Sequence, residues 1–398
     1  MRAVIVLARH GVRAPIASET RAEAYNAQPW PQWPVASGVL TPHGAQALRL
    51  LGAFYRGRYA ALLSAPCQSL SVYAEANTTQ RTIASAHAFM EGMLPACPVE
   101  VHSLPGKENP LYWPTDNDRA VQEQVAAALA GRMNGSPEAF GAAFDAELGE
   151  AERVLTACEG KDCAKKTDFR QLPESLRLPA GRDLLDVDGQ LTLGADFAEN
   201  FLLEYCEGLP LSQVGWGRLS RQNLNRLMEM NTRYHDFVLR TPLLAQVGAS
   251  GLAARIQATL DSAAAGKPAP LAFGKADDRF FLLHAHDTNL AWMGGLLRLD
   301  WLLPDQTFNA TPPGGALVFE LHRDRKSGAH TVQVFFIAQT LEQIRSLSQL
   351  DGERKPQVVP IFVPGCSGPA PAFACRLEDF DRVVNLSIDK QYTRFLMH

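Results

Sequence analysis

Two short segments of the chain place imidazole, guanidinium and carboxyl groups where they could act together. The first is Arg9-His10-Gly11-Val12-Arg13-Ala14-Pro15, in which two guanidiniums bracket one imidazole. A guanidinium is a planar fork of donors that matches phosphate oxygens. An imidazole whose attacking nitrogen is unprotonated can serve as a covalent nucleophile, and nearby positive charge favours that neutral form. Gly11 is expected to let backbone approach a ligand closely. The second segment is His284-Ala285-His286-Asp287-Thr288-Asn289, and a third group is Arg81. Read singly, these are a solvated Arg-rich turn, a helix cap beside packing histidines, and a surface arginine. Read together, they are the parts of a site for phosphoryl chemistry.

To meet, these segments must lie on elements that end at one edge. Val4-Ile5-Val6-Leu7-Ala8 is a continuous apolar run, the pattern of a buried strand, and it leads straight into Arg9. Phe280-Phe281-Leu282-Leu283 does the same ahead of His284. His284 and His286 then share one strand face, and Asp287 falls at the start of the next helix. Ser71 to Ala76 reads as a strand, and Asn77-Thr78-Thr79-Gln80 as a capping box opening a helix to about Leu94. Arg81 sits about one turn into that helix and leans toward its N-terminus. Thr41 as N-cap and Pro42 as first residue open an earlier helix to about Tyr59, and Val99 to His102 reads as a third strand. Strands alternating with helices imply an α/β fold with a mainly parallel sheet and helices on both faces. Ligands of such sheets bind beyond the carboxyl ends of the strands, where all three groups fall.

From about residue 115 to 240 helices dominate, roughly 117–131, 137–157, 193–207 and 220–240, around a polar stretch at 159–192. This reads as an all-α insertion, giving a discontinuous α/β domain (1–114 with 241–398) and a helical cap (115–240). After the loop Gly266 to Asp278, strands alternate with helices again. A helix spans Asn289 to Leu297, and Ala316 to Leu321 pairs with Thr331 to Ile337 as a hairpin around Asp324 to Ser327. A last strand, Val358 to Val363, and a last helix, Leu377 to Ile388, follow.

Among the 398 residues, 38 basic side chains face 42 acidic ones, a net charge of −4. No basic run marks a nucleic-acid or membrane-surface binder, so an anionic substrate must be met by a local arginine cluster. No apolar run approaches the roughly 18 residues of a membrane span. Ala3 to Ala8 is too short for the core of a signal peptide. The seven cysteines contain no C-x-x-C and no zinc spacing. They form three local pairs, Cys67 with Cys97, Cys158 with Cys163 and Cys366 with Cys375, leaving Cys206 alone. Seven reduced cytosolic thiols are one reading; three disulfides in an oxidising compartment are the favoured one. On that reading the chain is periplasmic or secreted, its leader already removed.

R-H-G-V-R-A-P at 9–15 with H-D-T-N at 286–289 resembles the histidine acid phosphatase family, branch 2 of the phosphohistidine superfamily. The likeness extends over nearly the whole chain and includes Trp33-Pro34, Leu40-Thr41-Pro42, Asn77 to Thr82, Trp216-Gly217 and Thr311-Pro312-Pro313-Gly314-Gly315. It is strongest toward the bacterial periplasmic glucose-1-phosphatases and phytases. The resemblance implies a phosphoglycerate-mutase-like α/β domain with a helical cap. It implies hydrolysis of phosphate monoesters, on sugar or inositol phosphates, at acid pH through a phosphohistidine on His10. Arg9, Arg13, Arg81 and His286 would clamp the phosphoryl group, and Asp287 would protonate the leaving alcohol. Thr288 would contact substrate or position Asp287. No cofactor or metal is called for, the arginines standing where other phosphoryl-transfer sites use Mg²⁺. The same resemblance places disulfides at the three cysteine pairs.

The pocket rim is expected from Ile16 and the loop after it, and from the cap, with Tyr205, Glu207 and Gln213 as candidate contacts. Glu207 reads equally well as a solvated helix end. Phytases of this group carry more polar or basic residues where this chain has Ile16 and Ala17, which favours a substrate less charged than a hexakisphosphate. Two other readings start from R-H-G. A phosphoglycerate-mutase-like phosphotransferase usually takes its acid from a Glu elsewhere, whereas this chain has His286-Asp287 and the cysteine pairs. A non-catalytic phospholigand-binding relative would lack His10 or Asp287, and both are present.

Overall fold

A computed structural model of the chain describes all residues except 17–23, 105–108, 115–117, 159–166, 179–184, 370–371 and 398. Strand β1 (Ala3–Arg9) is buried along its whole length and leads through the His10 loop to helix α1 (Pro42–Arg58). Thr41 caps α1 as expected, its side chain accepting from the Gly44 amide. β2 (Val72–Ala76), α2 (Gln80–Met93) and a two-residue β3 (Val101–His102) follow. Next come α3 (Arg119–Arg132), α4 (Pro137–Ala142), α5 (Asp145–Thr156), the short strands β4 (Ser175–Arg177) and β5 (Asp186–Asp188), α6 (Gln190–Cys206), α7 (Arg221–Val238) and α8 (Pro242–Ala265). β6 (Phe280–Ala285) and α9 (Asp287–Leu297) restore the alternation. β7 (Ala316–Arg323), β8 (His330–Ala338), α10 (Leu341–Arg345), β9 (Gln357–Ile361), β10 (Cys375–Arg376) and α11 (Leu377–Ser387) complete it.

The main sheet runs β10-β8-β7-β1-β6-β2-β3, with β9 also on β8. From β1 through β6 and β2 to β3 the pairing is parallel. From β1 through β7 to β8, β9 and β10 it is antiparallel. The α/β class stands, but the sheet is mixed rather than mainly parallel. The cause is local: β7 and β8 are joined by a tight turn in which Asp324 Oδ1 accepts from the Lys326 and Ser327 amides, and so short a connection permits only an antiparallel return.

Alternate residues of the central strands feed two cores. Val4, Val6, Ala8 and Leu282 pack with Leu48, Leu51 and Phe89 of α1 and α2. Ile5, Leu7, Phe281 and Leu283 pack on the other face with α8, α9 and α11. The helices between Arg119 and Val238 share a third cluster built around Phe197, Phe201 and Leu227. Two features of this region were hidden in the sequence. β4 and β5 pair antiparallel inside a stretch expected to be helical or loop; three residues each are too few to show a strand period. α8 follows directly on α7 and buries Ala, Gly and Leu on several sides, so it shows no amphipathic stripe. Among the described residues no single helix is long and apolar enough to cross a membrane.

Cys67–Cys97 and Cys366–Cys375 are bonded, closing loops of 30 and 9 residues. Cys158 is also disulfide-bonded, while its expected partner Cys163 lies outside the described residues. Cys206 is buried and free, its thiol pushed up to about 12 by burial. Replacing both Cys67 and Cys97 with Ala is expected to lower the unfolding free energy by about 3 kcal/mol, read as a lower denaturant midpoint with a steeper slope, because the unbridged unfolded chain exposes more surface.

Candidate active site

Three parallel strands end level with one another. Arg9 of β1 pairs with Ala285 of β6, and Ala76 of β2 pairs with His284. The next residues, His10, His286 and Asn77, therefore leave the sheet side by side. The loops are pinned across strands: the His10 amide donates to the Ala285 carbonyl at 3.1 Å, and the Asn77 amide to the His284 carbonyl at 2.9 Å. The Thr311 to Gly315 segment closes the other flank, Gly314 donating to the His10 carbonyl at 3.0 Å and Arg9 to the Gly315 carbonyl at 2.9 Å. Gly11 and Gly44 let α1 lie directly on this loop. A Cβ on Gly44 would fall 2.3 Å from the Val12 carbonyl oxygen, and one on Gly11 2.8 Å from Leu48. Gly11 thus allows the close approach of α1 to this loop.

His10 is buried, and its Nδ1 lies 2.9 Å from the Gly11 carbonyl. A carbonyl can only accept, so Nδ1 carries the proton and Nε2 keeps its lone pair. Burial, and then the charges of Arg9, His286, Arg13 and Arg81, hold the ring well below the ordinary histidine range. The nucleophilic nitrogen therefore remains unprotonated in acid.

Arg9 is 2% exposed. Its Nη1 donates to the Thr311 carbonyl at 2.5 Å, and Nη2 meets both Glu199, on α6, and Asp287 Oδ2, the latter at 3.0 Å. Burial opposes the charge, but Glu199 and Asp287 hold the guanidinium above its ordinary value. These partners turn it away from the main cavity, so that it lines a separate void of about 20 Å³ behind. Arg9 was expected to grip phosphate; its Nη atoms meet two carboxylates and the Thr311 carbonyl, while its buried Nε has no partner among the described residues.

His286 caps α9, its amide donating to Asn289 Oδ1 at 3.1 Å, and Asp287 is the helix's first residue. The Thr78 amide donates to Asn77 Oδ1, which orients Asn77 Nδ2 toward His286 Nε2 at 2.9 Å. Nε2 accepts from Asn77, and Arg81 Nη2, which can only donate, lies 3.5 Å from Nδ1. Burial and the Arg81 charge push His286 down to about 3. Asn77 and Gln80 do not form the expected capping box: Thr79 is the N-cap of α2 without a side-chain bond. Asn77 serves His286, and Gln80 Oε1 accepts from the Leu40 amide at 3.0 Å. Burial raises Asp287, but Arg9, His235 and His10 outweigh it and hold the carboxyl below its usual range. Its Oδ1 accepts from the Thr288 amide at 2.8 Å.

A cavity of about 410 Å³ opens over these groups, walled by His10, Arg13, Arg81, His286, Asp287 and Thr288, with Ile16 at its margin. His10 and His286 meet edge-on, with centroids 5.5 Å apart. The helices opposite contribute Asp196 and Glu199 from α6 and Asn231 and His235 from α7. The sequence carried one signal for Glu199, an acid inside an otherwise apolar helix. Asn231 and His235, on a polar helix, had none. His284 stays beneath the site, packed edge-on against Phe89.

The expected cap contacts lie elsewhere. Glu207 ends α6 and accepts a 2.6 Å bond from Thr41 at the start of α1, and burial pushes its carboxyl up to about 7. It joins two helices and does not line the cavity. Tyr205 donates to Glu342 at 2.9 Å, and Gln213 is likewise absent from the cavity wall. No group of three or more His, Cys, Asp or Glu side chains among the described residues is arranged to hold a metal ion.

Comparison with known proteins agrees with this geometry. The family model "Histidine phosphatase superfamily (branch 2)" matches residues 1–337. Phytase AppA of Escherichia coli (strain K12) is 32% identical, over 97% of this chain and 91% of the relative. Glucose-1-phosphatase of Salmonella typhimurium is 27% identical, over 97% and 92%. The solved structure of Hafnia alvei phytase in complex with tartrate superposes with a TM-score of 0.87 at 31% identity, covering 98% of each chain.

Proposed function

The chain belongs to the histidine phosphatase superfamily (branch 2), and from that premise we propose that it hydrolyses phosphate monoesters of sugars or inositols in acid through a phosphohistidine on His10. The observation that carries this reading is the tautomer of His10: the Gly11 carbonyl holds the proton on Nδ1 and leaves Nε2 as the nucleophile. Arg13, Arg81 and His286 receive the non-bridging phosphoryl oxygens and stabilise charge there as the transition state forms. Nε2 attacks phosphorus in line, forming N–P as the ester P–O bond breaks. Asp287 gives its proton to the departing oxygen, then takes one from the water that attacks phosphorus and breaks N–P, releasing phosphate. Arg9 acts from behind, setting the charge of both His10 and Asp287.

The low affinity of free Asp287 for a proton is offset once an anionic phosphoryl group lies beside it, so acid favours the loaded, protonated site. Three carboxylates around the pocket, Asp196, Glu199 and Asp287, together with Ile16, suit a substrate carrying one phosphate better than a hexakisphosphate. The helical stretch 115–240 acts as a cap over an α/β domain formed by 1–114 and 241–398. The disulfides fit an exported protein, periplasmic or secreted.

The test is phosphate release at about pH 5, with EDTA present, from p-nitrophenyl phosphate, glucose 1-phosphate and phytate. The expected result is metal-independent turnover, with glucose 1-phosphate preferred over phytate. Folded protein inactive on all three substrates overturns the reading.

A further inference from the structure

We propose that Trp113 is a stacking platform for a pyranose ring in the leaving group, which makes it a specificity residue of this site. The inference rests on the phosphatase reading above and specifies its substrate as a cyclic sugar monophosphate. Trp113 lines the same cavity as His10 and Asp287 and is 38% exposed. Few large apolar side chains are left open in this way, and this one lines a cavity whose other walls are mostly polar or charged.

The ring is held in place. Asn109 organises the turn: its side chain accepts from the Leu111 amide at 3.0 Å, and its carbonyl from the Tyr112 and Trp113 amides at 3.0 and 2.9 Å. The Tyr112 carbonyl accepts from Asn289 Nδ2 at 2.7 Å, and Trp113 packs on Trp292 with centroids 5.6 Å apart. Asn289 and Trp292 both belong to α9, the helix that begins with Asp287. The platform is therefore anchored to the helix that carries the proton donor, and both line one cavity.

An indole face is electron-rich and attracts the polarised C–H face of a sugar ring, while adding no hydrogen-bond demand. The opposite wall supplies what the ring's hydroxyls require: Asp196 as acceptor, and Asn231 and His235 with both capacities. An apolar face set against a few convergent polar groups is the usual composition of a selective small-ligand site.

Steady-state kinetics on Trp113→Leu and Trp113→Phe, with glucose 1-phosphate and with the acyclic glycerol 2-phosphate, test this. Trp113→Leu is expected to raise KM for glucose 1-phosphate about 5- to 10-fold and leave kcat nearly unchanged. Both constants for glycerol 2-phosphate should stay at the wild-type values, and Trp113→Phe should recover most of the loss. Equal damage to both substrates, or none to either, overturns the role of Trp113. Failure of the wild-type protein on both substrates would instead overturn the phosphatase reading.

Discussion

His10→Ala is expected to reduce phosphate release by at least about 10⁴-fold on every substrate, since removing a covalent nucleophile forfeits the whole two-step route. The buried ring lies between α1 and the sheet edge, so the folded state should be checked by thermal denaturation alongside activity. Asp287→Asn separates proton donation from nucleophilic attack. It keeps the shape but cannot protonate the leaving oxygen, so turnover of glucose 1-phosphate should fall by about 10²- to 10⁴-fold. p-Nitrophenyl phosphate, whose phenolate leaves without help, should lose far less. Equal losses on the two esters would remove Asp287 from the role of general acid. The acid side of the pH profile follows from the histidines. His286 is held down to about 3 by burial and Arg81, and His10 lies well below its ordinary range. Activity should therefore persist well below the pH at which an ordinary imidazole protonates, and decline only as these two rings take up protons.

The contribution of Glu204 to stability is expected to be greater at pH 5 than at pH 8, the reverse of an ionised carboxylate held in an ion pair. Glu204 on α6 is 1% exposed and accepts a single bond, from the Gly215 amide at 2.8 Å. Burial pushes its carboxyl up to about 8. Glu174 and Glu207, also buried against their neighbours, are pushed up to about 7. For a carboxyl raised on folding, the native state binds more protons than the unfolded chain between the two pKa values. Its contribution is fully present below the unfolded value, near pH 4.3, and is lost as pH climbs through about 7 to 8. At about 1.4 kcal/mol per unit, Glu204 alone is worth several kcal/mol. Glu204→Gln keeps the shape and the acceptor for Gly215. Relative to the wild type it should raise the melting temperature at pH 8 and leave it nearly unchanged at pH 5. A difference from the wild type that does not grow between pH 5 and pH 8 would show that Glu204 makes no such contribution. The buried histidines act in the opposite direction: His284 and His286, pushed down to about 3, and His10 cost stability as pH falls below the unfolded value of about 6.5, so the comparison of Glu204→Gln with the wild type isolates the carboxyl.

The chemistry of this protein lies largely in its linear sequence, because its reactive groups sit at the ends of buried strands. Apolar runs at Val4 to Ala8 and Phe280 to Leu283 announce strands without reference to anything else, and parallel pairing brings His10 and His286 together. The Thr41-Pro42 helix start and the Asp324 turn are likewise local, written in side chains that bond to their own backbone. What depended on the tertiary structure concerns partners distant in the chain. Asn77 reads as half of a capping box, yet it orients His286, 209 residues away, because the strand ends put the two side by side. Arg9 reads as a phosphate ligand, yet Glu199 and Asp287 claim its guanidinium, and only the packing of α6 over β1 brings Glu199 there. Glu207 reads as a rim residue, yet it ties α6 to the start of α1. Trp113 and His235 face the cavity only because a turn and a helix, remote in sequence, fold over the sheet edge. Local bonding and hydrophobic periodicity fix which elements form. Which buried charge answers which depends on the three-dimensional field, and a linear pattern does not contain it.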